Sequence, residues 1–208
     1  MRTIVVASQK GGVGKTTLVG HLGVMAELRG EGPVALIDTD PQGSLASWWN
    51  EREAETPLFA QVEIDRLADH LKALQVAGVK LTIIDTPPSV TELIVKVLAV
   101  ADLVIIPTRP SPHDLRAVGS TVELVERASK KMVFVINGAA SRAKIAGEAA
   151  VALSQHGTVA PVTLHQRTDF ASSMIDGRTV QEIDVKGKSA LEIDGLWKYV
   201  HAQLRKLA

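Results

Sequence analysis

The chain has 208 residues, of which 46% are hydrophobic and 22% charged, and this composition is that of an ordinary globular protein with one substantial core. A net charge of zero argues against a uniformly basic nucleic-acid-binding protein, and the absence of cysteine from the sequence excludes disulfides, thiolate metal sites and thiol nucleophiles. We therefore expect one domain over residues 1–208, with no cysteine-held metal cluster.

Neither a membrane helix nor a secretory signal is evident in the sequence. No apolar run approaches the roughly 18 residues of a membrane-spanning helix, and Met1 and Arg2 lead directly into a predicted strand. We expect a cytoplasmic protein. Residues 1–114 carry 10 Lys and Arg against 14 Asp and Glu, whereas residues 115–208 carry 13 against 9. A basic face in the C-terminal half is one interpretation, and a chance split of solvated charges is the other.

Short runs rich in Val and Ile alternate along the chain with helical patterns. Strands are predicted at Arg2–Ala7, Pro33–Asp38, Lys80–Asp85, Leu103–Pro107, Met132–Asn137 and Val159–Thr163, with a weaker one at Phe59–Ile64. Helices are predicted after the first strand and at Ser44–Arg52, Asp65–Ala77, Thr91–Val100, His113–Ser129, Lys144–His156 and Leu191–Leu207. This alternation predicts an α/β three-layer sandwich, a mostly parallel central sheet covered by helices on both faces, with ligands at the carboxyl ends of the strands.

A glycine-rich segment joins the first predicted strand to the first predicted helix. It reads Lys10-Gly11-Gly12-Val13-Gly14-Lys15-Thr16-Thr17. Glycines let consecutive backbone N–H groups converge on phosphate oxygens, and the following helix adds the positive end of its dipole. In such a loop Lys15 neutralises the β- and γ-phosphates, and the Thr16 hydroxyl completes a magnesium shell. The alternative is a glycine-rich turn with solvated lysines, which the strand-loop-helix context disfavours.

Two acidic motifs begin at the ends of the strands predicted at Pro33–Asp38 and Lys80–Asp85. One strand ends at Asp38 and continues into a turn that contains Asp40, and the other ends at Asp85 before Thr-Pro-Pro. An aspartate after an apolar strand is typical of the Walker B arrangement, which holds magnesium directly or through water. Since parallel strands bring their carboxyl ends to one edge of the sheet, all three carboxylates are expected beside the phosphate loop. Each aspartate could instead be an ordinary strand-ending turn residue.

Together these motifs resemble the ParA/MinD family of deviant Walker A ATPases. The ordinary pattern G-x-x-x-x-G-K-[ST] would begin at position 9, which is Gln9, whereas the family pattern K-G-G-x-G-K-[ST] matches residues 10–16. The elements D-x-D-P-Q-G at 38–43 and D-T-P-P at 85–88 match too, and the segment 166–170 resembles small ParA-type positioning ATPases rather than MinD. The resemblance implies a P-loop NTPase fold. Since the chain begins directly at its first strand, we expect no operator-binding helix-turn-helix domain.

The resemblance also implies residue roles. The catalytic residues would be Lys10, which reaches across a dimer interface to the partner's nucleotide, Lys15, and Asp40, which orients or deprotonates the attacking water. The nucleotide-binding residues would be Gly11, Gly12, Val13, Gly14, Lys15, Thr16, Thr17, Asn137 at the adenine, and Pro161 in a loop beside the base. The magnesium residues would be Thr16, Asp38 and Asp85, the two carboxylates acting through water. Asn137 could equally be a strand-ending turn residue.

The activity implied by the resemblance is slow, Mg²⁺-dependent hydrolysis of ATP by a homodimer that forms in the ATP state. Such a dimer binds non-specific DNA on the nucleoid of a prokaryote and positions a cargo, while a ParB-like or other cargo adaptor stimulates hydrolysis. Candidate DNA contacts lie in the basic half of the chain, and each alone could be an ordinary surface charge: Arg142, Lys144, Arg167, Arg178, Lys186 and Lys188. The sequence does not choose between a plasmid, a chromosome and a large protein assembly as cargo.

Two other classes compete with this interpretation. A MinD-like membrane-associated ATPase would need a terminal amphipathic helix, and 197–207 carries a short apolar face with a few basic residues. A metabolic enzyme of the same fold, such as an amide-forming synthase, would need a substrate site for which 208 residues leave little room. Membrane association is therefore the second choice and metabolism the third.

Overall fold

A parallel sheet of seven strands runs through the part of the chain that the structure, a computed structural model, describes: residues 1–88, 92–141 and 144–207. The strands are β1 Arg2–Val6, β2 Val34–Asp38, β3 Leu58–Phe59, β4 Leu81–Asp85, β5 Leu103–Thr108, β6 Lys131–Ile136 and β7 Thr158–Val159. Their order across the sheet is β3-β2-β4-β1-β5-β6-β7, and every neighbouring pair is parallel. Since all of these strands run in one direction, their carboxyl ends meet at one edge of the sheet.

Helices cover both faces of this sheet. They are α1 Lys15–Leu28, α2 Ser44–Asn50, α3 Leu67–Val76, α4 Glu92–Ala99, α5 Pro112–Arg127, α6 Ile145–Ser154, α7 Thr168–Ser173, α8 Val180–Ile183 and α9 Lys188–Arg205, with a 3₁₀ turn at Ile64–Arg66. Side chains of β1 alternate between two cores: Ile4 and Val6 pack with α1 and α9, and Val5 packs with the helices of the opposite face. Burial on both faces explains why the strand is continuously apolar, and it confirms the predicted three-layer α/β architecture.

The predicted elements differ from the structure mainly at the two edges of the sheet. The predicted strands Phe59–Ile64 and Val159–Thr163 are reduced to β3 and β7, each of two residues. An edge strand forms hydrogen bonds with a neighbouring strand on one side only. Only part of an apolar run at the edge therefore adopts the extended strand conformation. The short helices α7 and α8 were not predicted, and α9 begins at Lys188 rather than Leu191. Thr91, the predicted start of the fourth helix, lies outside the described residues.

An arginine clamp joins the end of α2 to the segment between α7 and α8. The Arg52 side chain, 2% exposed, donates to the Gly177 carbonyl at 2.5 Å and to Glu182 Oε1 at 2.8 Å. Its guanidinium carbon lies 4.9 Å from the centre of the Trp48 ring, and Trp48 Nε1 donates to the Arg178 carbonyl at 3.2 Å. Because the cation is desolvated, its ion pair and carbonyl contacts fix the position of α2 against the C-terminal segment.

A fully buried histidine links α1 to the start of α8. His21 on α1 has Nδ1 2.7 Å from the Thr17 carbonyl, and its Nε2 accepts from the Val180 backbone N–H at 3.3 Å. One ring nitrogen therefore donates while the other accepts, which is the pattern of the neutral imidazole. Complete burial lowers the pKa of His21 to about 4, against the smaller opposing effect of the Thr17 carbonyl.

This histidine is expected to make stability fall with acidity between about pH 6.5 and pH 4. The unfolded chain takes up a proton near the ordinary histidine pKa of 6.5, whereas the folded chain takes it up only near 4. Between these values the free energy of unfolding should drop by about 1.4 kcal/mol per pH unit, roughly 3 kcal/mol in all. Urea titrations across this range measure the slope.

The matched variants are His21→Gln, which should flatten the slope, and His156→Gln at an exposed position, which should keep it. A free energy of unfolding that is level from pH 6.5 to pH 4.5 in the wild-type protein would contradict the neutral, buried assignment.

Candidate nucleotide-binding site

The loop between β1 and α1 has the backbone of an anion cradle. Gly12 and Gly14 have φ of +72° and +88°, which L side chains rarely adopt, and α1 begins immediately after Gly14. Asn137, directly after β6, donates from Nδ2 to the Val13 carbonyl at 2.6 Å. A Cβ on Gly14 would overlap that amide. The predicted loop therefore forms, and the predicted adenine residue braces it from the end of β6, two strands away from β1 in the sheet.

Two lysines of this loop have different surroundings. Lys15 is 7% exposed and donates from Nζ to the Lys10 carbonyl at 3.3 Å. Burial lowers the pKa of Lys15, and the carboxylates of Asp85 and Asp40 oppose that effect. The Lys10 side chain lies against α5, where Nζ is 3.0 Å from Asp114 Oδ1 in the first turn of that helix. The Lys15 side chain is therefore buried within the loop, whereas the Lys10 side chain pairs with α5, a helix outside the loop.

The carboxylates that follow β2 and β4 meet beside the loop. Asp38 and Asp85 are register partners in adjacent strands, and Thr16 Oγ1 donates to Asp85 Oδ2 at 2.6 Å. Burial raises the pKa of Asp85 to about 7, the Thr16 hydrogen bond opposes this, and the Asp38 charge adds to it. Burial therefore disfavours the ionised form of Asp85, whereas the charge of Lys15 favours it and a further cation close by would add to that effect.

The turn after β2 is built around Asp38. Its Oδ2 accepts from the backbone N–H groups of Leu45 and Ala46 at 3.0 and 3.1 Å, and its Oδ1 accepts from the Asp40 N–H at 3.0 Å. This carboxylate caps α2 and shapes the turn that presents Asp40. The half-buried Asp40 accepts from the Gln42 N–H at 3.0 Å. Asp38 supports the site chiefly by holding its backbone.

The chemistry of these side chains fits magnesium. A hydroxyl and a carboxylate in contact, Thr16 and Asp85, are hard oxygen ligands, and a divalent cation would favour the ionised form that burial disfavours. Across residues 1–88, 92–141 and 144–207, no group of three or more His, Cys, Asp and Glu side chains could hold a metal ion by itself. Magnesium that keeps its waters and binds through phosphates needs only one or two protein ligands.

A cavity of about 160 Å³ adjoins the loop on the side of Asn137. Its lining comes from the phosphate loop and α1, from the ends of β5 and β6, from the segment before α7, and from α7 and α9: Gly14, Thr17, Leu18, Arg109, Asn137, Gly138, Leu164, His165, Gln166, Arg167, Phe170, Ala171 and Ile193. Pro161, which we expected beside the base, is exposed and lies outside this lining. Sequence reasoning missed Arg109 and His165, which follow strands but belong to no motif.

The candidate DNA-binding residues have unequal surroundings. Lys144, Lys186 and Lys188 are exposed, and Arg142 lies outside the described residues. Arg178 pairs with Asp176 at 2.6 Å, and Arg167 pairs with Glu192 at 2.6 Å. Each paired guanidinium would have to share its charge with a carboxylate in order to contact a phosphate.

Comparison with known proteins agrees with this geometry. A protein of Halothiobacillus neapolitanus, maintenance of carboxysome distribution protein A, is 32% identical over 206 residues, which is 91% of each chain. MinD of Pyrococcus horikoshii, solved with Mg-ADP, matches with a TM-score of 0.80 and 16% identity over 100% of this chain and 98% of its own. An aspartate-to-alanine variant of Cyanothece McdA in complex with ATP matches with a TM-score of 0.75 and 19% identity, over 97% and 96%.

The model of the CobQ/CobB/MinD/ParA nucleotide binding domain matches residues 4–180. That span starts within β1 and ends at the first residue of α8, so it includes the phosphate loop, both acidic turns and Asn137. The chain therefore belongs to the CobQ/CobB/MinD/ParA nucleotide-binding family.

Proposed function

We propose that this chain is a single-domain ATPase switch of the ParA type. It binds Mg²⁺ and ATP at the phosphate loop, dimerises in the ATP state, hydrolyses ATP slowly, and in the dimeric state binds non-specific DNA to position a cargo. The observation that carries the proposal is the meeting of Lys15, Thr16 and Asp85 at the loop that also bears Lys10. A cation, a hydroxyl and a buried carboxylate at one helix start are what a magnesium-bound triphosphate requires.

Each group in the site has a distinct task in this proposal. Lys15 and the loop N–H groups bind the β- and γ-phosphates, and Thr16 and Asp85 hold magnesium, which neutralises charge on the phosphates. Asp40, presented by the turn that Asp38 caps, orients or deprotonates the attacking water. Catalysis then depends mostly on positioning and electrostatics, since phosphoryl transfer asks for little covalent chemistry from the protein.

Lys10 is the residue that changes its partner in the proposed dimer. The Lys10 side chain is 38% exposed, and its ammonium group lies against Asp114 of its own subunit rather than in its own phosphate loop. In the proposed dimer it leaves Asp114 and contacts the nucleotide of the second subunit. A triphosphate carries more negative charge than a single carboxylate and attracts the Lys10 ammonium more strongly. The nucleotide state would therefore control whether Lys10 leaves Asp114 for the second subunit.

The proposed output is positioning of a large protein assembly. The similarity at 32% identity to a carboxysome distribution protein favours such a cargo over a plasmid or chromosome. A cargo adaptor would stimulate hydrolysis and release the dimer from DNA. Lys144, Lys186 and Lys188 are the exposed candidate DNA contacts, whereas Arg167 and Arg178 pair with carboxylates.

The membrane-associated alternative receives no support from α9. Its apolar side chains Ile193, Leu196, Trp197, Val200 and Leu204 are all buried in the core against α1 and the sheet. A helix whose apolar face is already covered cannot also insert that face into a bilayer. Within the described ranges, no helix has the length and apolar content needed to cross a membrane.

Binding to a non-specific DNA duplex, compared in ATP and ADP across a salt series, tests the proposal. We expect binding only with ATP and Mg²⁺, with an affinity that falls roughly tenfold or more between 50 and 200 mM salt, because lysine contacts release condensed counterions. Lys10→Ala is the control: it should bind ATP but lose ATP-dependent dimerisation in light scattering and DNA binding with it. Dimerisation and DNA binding that are equal in ATP and ADP would contradict the switch.

A further inference from the structure

The carboxylate of Glu192 on α9 binds two residues that line the cavity beside Asn137. Glu192, whose side chain is 15% exposed, accepts from Arg167 Nη1 and Nη2 at 2.6 and 2.7 Å in a bidentate pair. It also accepts from the His165 backbone N–H at 3.0 Å and lies 2.7 Å from His165 Nδ1. Four contacts to one carboxylate fix both residues that flank Gln166.

The backbone of this segment is fixed independently. His165 forms a parallel bridge with Ala139, and the Gln166 N–H donates to the Ala139 carbonyl at 2.9 Å. Ala139 lies two residues after Asn137, which lines the same cavity and braces the phosphate loop. The segment 165–167 is therefore a rigid wall that faces the end of β6.

The charge of Glu192 determines which nitrogen of His165 carries a proton. Partial burial alone would raise the pKa of Glu192, but the hydrogen bonds from Arg167 and His165 outweigh it and hold that pKa below its ordinary value. An ionised carboxylate can only accept, so the neutral imidazole has its proton on Nδ1 and a lone pair on Nε2. Among the described residues, the ring of His165 hydrogen-bonds through Nδ1, and its side chain is 33% exposed.

We infer that His165 is a specificity residue for the nucleotide base and that Glu192 is the positioning residue that sets its tautomer. This inference rests on the proposed function, since it takes the cavity beside Asn137 as the base site. With Nδ1 held by Glu192, the remaining ring nitrogen is an acceptor at the cavity wall. His165 Nε2 accepts a hydrogen bond from the exocyclic amino group of a 6-aminopurine. With a 6-oxopurine, the lone pair of Nε2 instead faces a lone pair of the carbonyl oxygen, which is repulsive.

Titrations of the full chain with fluorescent mant-ATP and mant-GTP in Mg²⁺ test this inference. The wild-type protein should prefer the ATP analogue by about tenfold or more, because the adenine base gains a hydrogen bond where the guanine base meets a repulsive lone pair. His165→Phe keeps a flat ring without the acceptor, and should weaken mant-ATP while bringing the two analogues within about twofold. Glu192→Gln should reduce the same ratio and raise the KM for ATP, with kcat changed less than twofold.

The matched control is Asp194→Asn, which removes a charge two residues further along α9. Asp194 pairs with Arg29 and Lys198 rather than with the cavity wall, so its variant should keep the wild-type ratio. An unchanged ratio in both His165→Phe and Glu192→Gln would overturn the inference, and so would a wild-type protein that binds both analogues equally. A wild-type protein that binds neither analogue would instead contradict the proposed function. Should Glu192→Gln fail to fold, His165→Phe decides alone.

Discussion

Replacing Lys15 by alanine is expected to weaken ATP binding about a hundredfold or more. Lys15 is buried in the loop, and its ammonium group feels the opposite charges of the Asp85 and Asp40 carboxylates. The change removes charge-assisted hydrogen bonds to phosphate, and it leaves those two carboxylates to repel the nucleotide without a neighbouring cation. A loss of about 3 kcal/mol corresponds to this factor. Titration with mant-ATP in Mg²⁺ measures it.

Lys10→Ala is the matched control because it removes the same charge from the same loop. The Lys10 ammonium contacts Asp114 rather than lying within the phosphate loop, so its loss should change the affinity of a single subunit for ATP less than threefold. Equal losses in the two variants would show that both lysines bind the nucleotide of their own subunit. The cross-subunit role of Lys10 would then be wrong.

The second large effect is expected at Gly177, where alanine should destabilise the fold by about 3 kcal/mol or more. Gly177 has φ of +74°, a conformation that costs an L side chain roughly 1–2 kcal/mol. A Cβ there would also lie 2.6 Å from Arg52 Cα, so the backbone of one segment would have to move. Overpacking of this kind adds about 1–3 kcal/mol. Urea unfolding measures the sum.

Gly30→Ala separates the two contributions. Gly30 has nearly the same φ, +75°, but a Cβ there would meet nothing within 4 Å. Its variant should lose only the conformational part, about 1–2 kcal/mol. If the two alanine variants are equally stable, the close approach of Gly177 to Arg52 contributes nothing.

The sheet interior was predictable because each of its strands carries a local signal. β1, β2, β4 and β5 are covered on both faces, so their apolar runs are continuous and end within one residue of the predicted limits. β3 and β7 lie at the two edges, where a short pairing suffices and apolar content does not mark the ends. Helices of four and six residues, such as α8 and α7, are too short for a helical period to be recognised.

The candidate site divides in the same way. The phosphate loop and the aspartate after β4 could be located from the sequence because their residues are neighbours along the chain. The wall of the cavity could not, since Glu192 meets Arg167 and His165 across 25 and 27 residues, a separation that no motif encodes. The position of Lys10 against Asp114 was equally hidden, because it depends on how α5 packs beside the loop.

The Arg52 clamp has a consequence for how a change at the nucleotide would travel. Helix α2 begins directly after the turn that presents Asp40, and the residue that follows its last turn by two positions is Arg52. Seven helical residues form a stiff rod of about 10 Å. If α2 tilts at the end near the phosphates, the Gly177 carbonyl and Glu182 must therefore move with it. Otherwise the desolvated Arg52 guanidinium loses its contacts with them. The turn that presents Asp40 and the segment around Arg178 should therefore move together, although more than a hundred residues separate them in sequence.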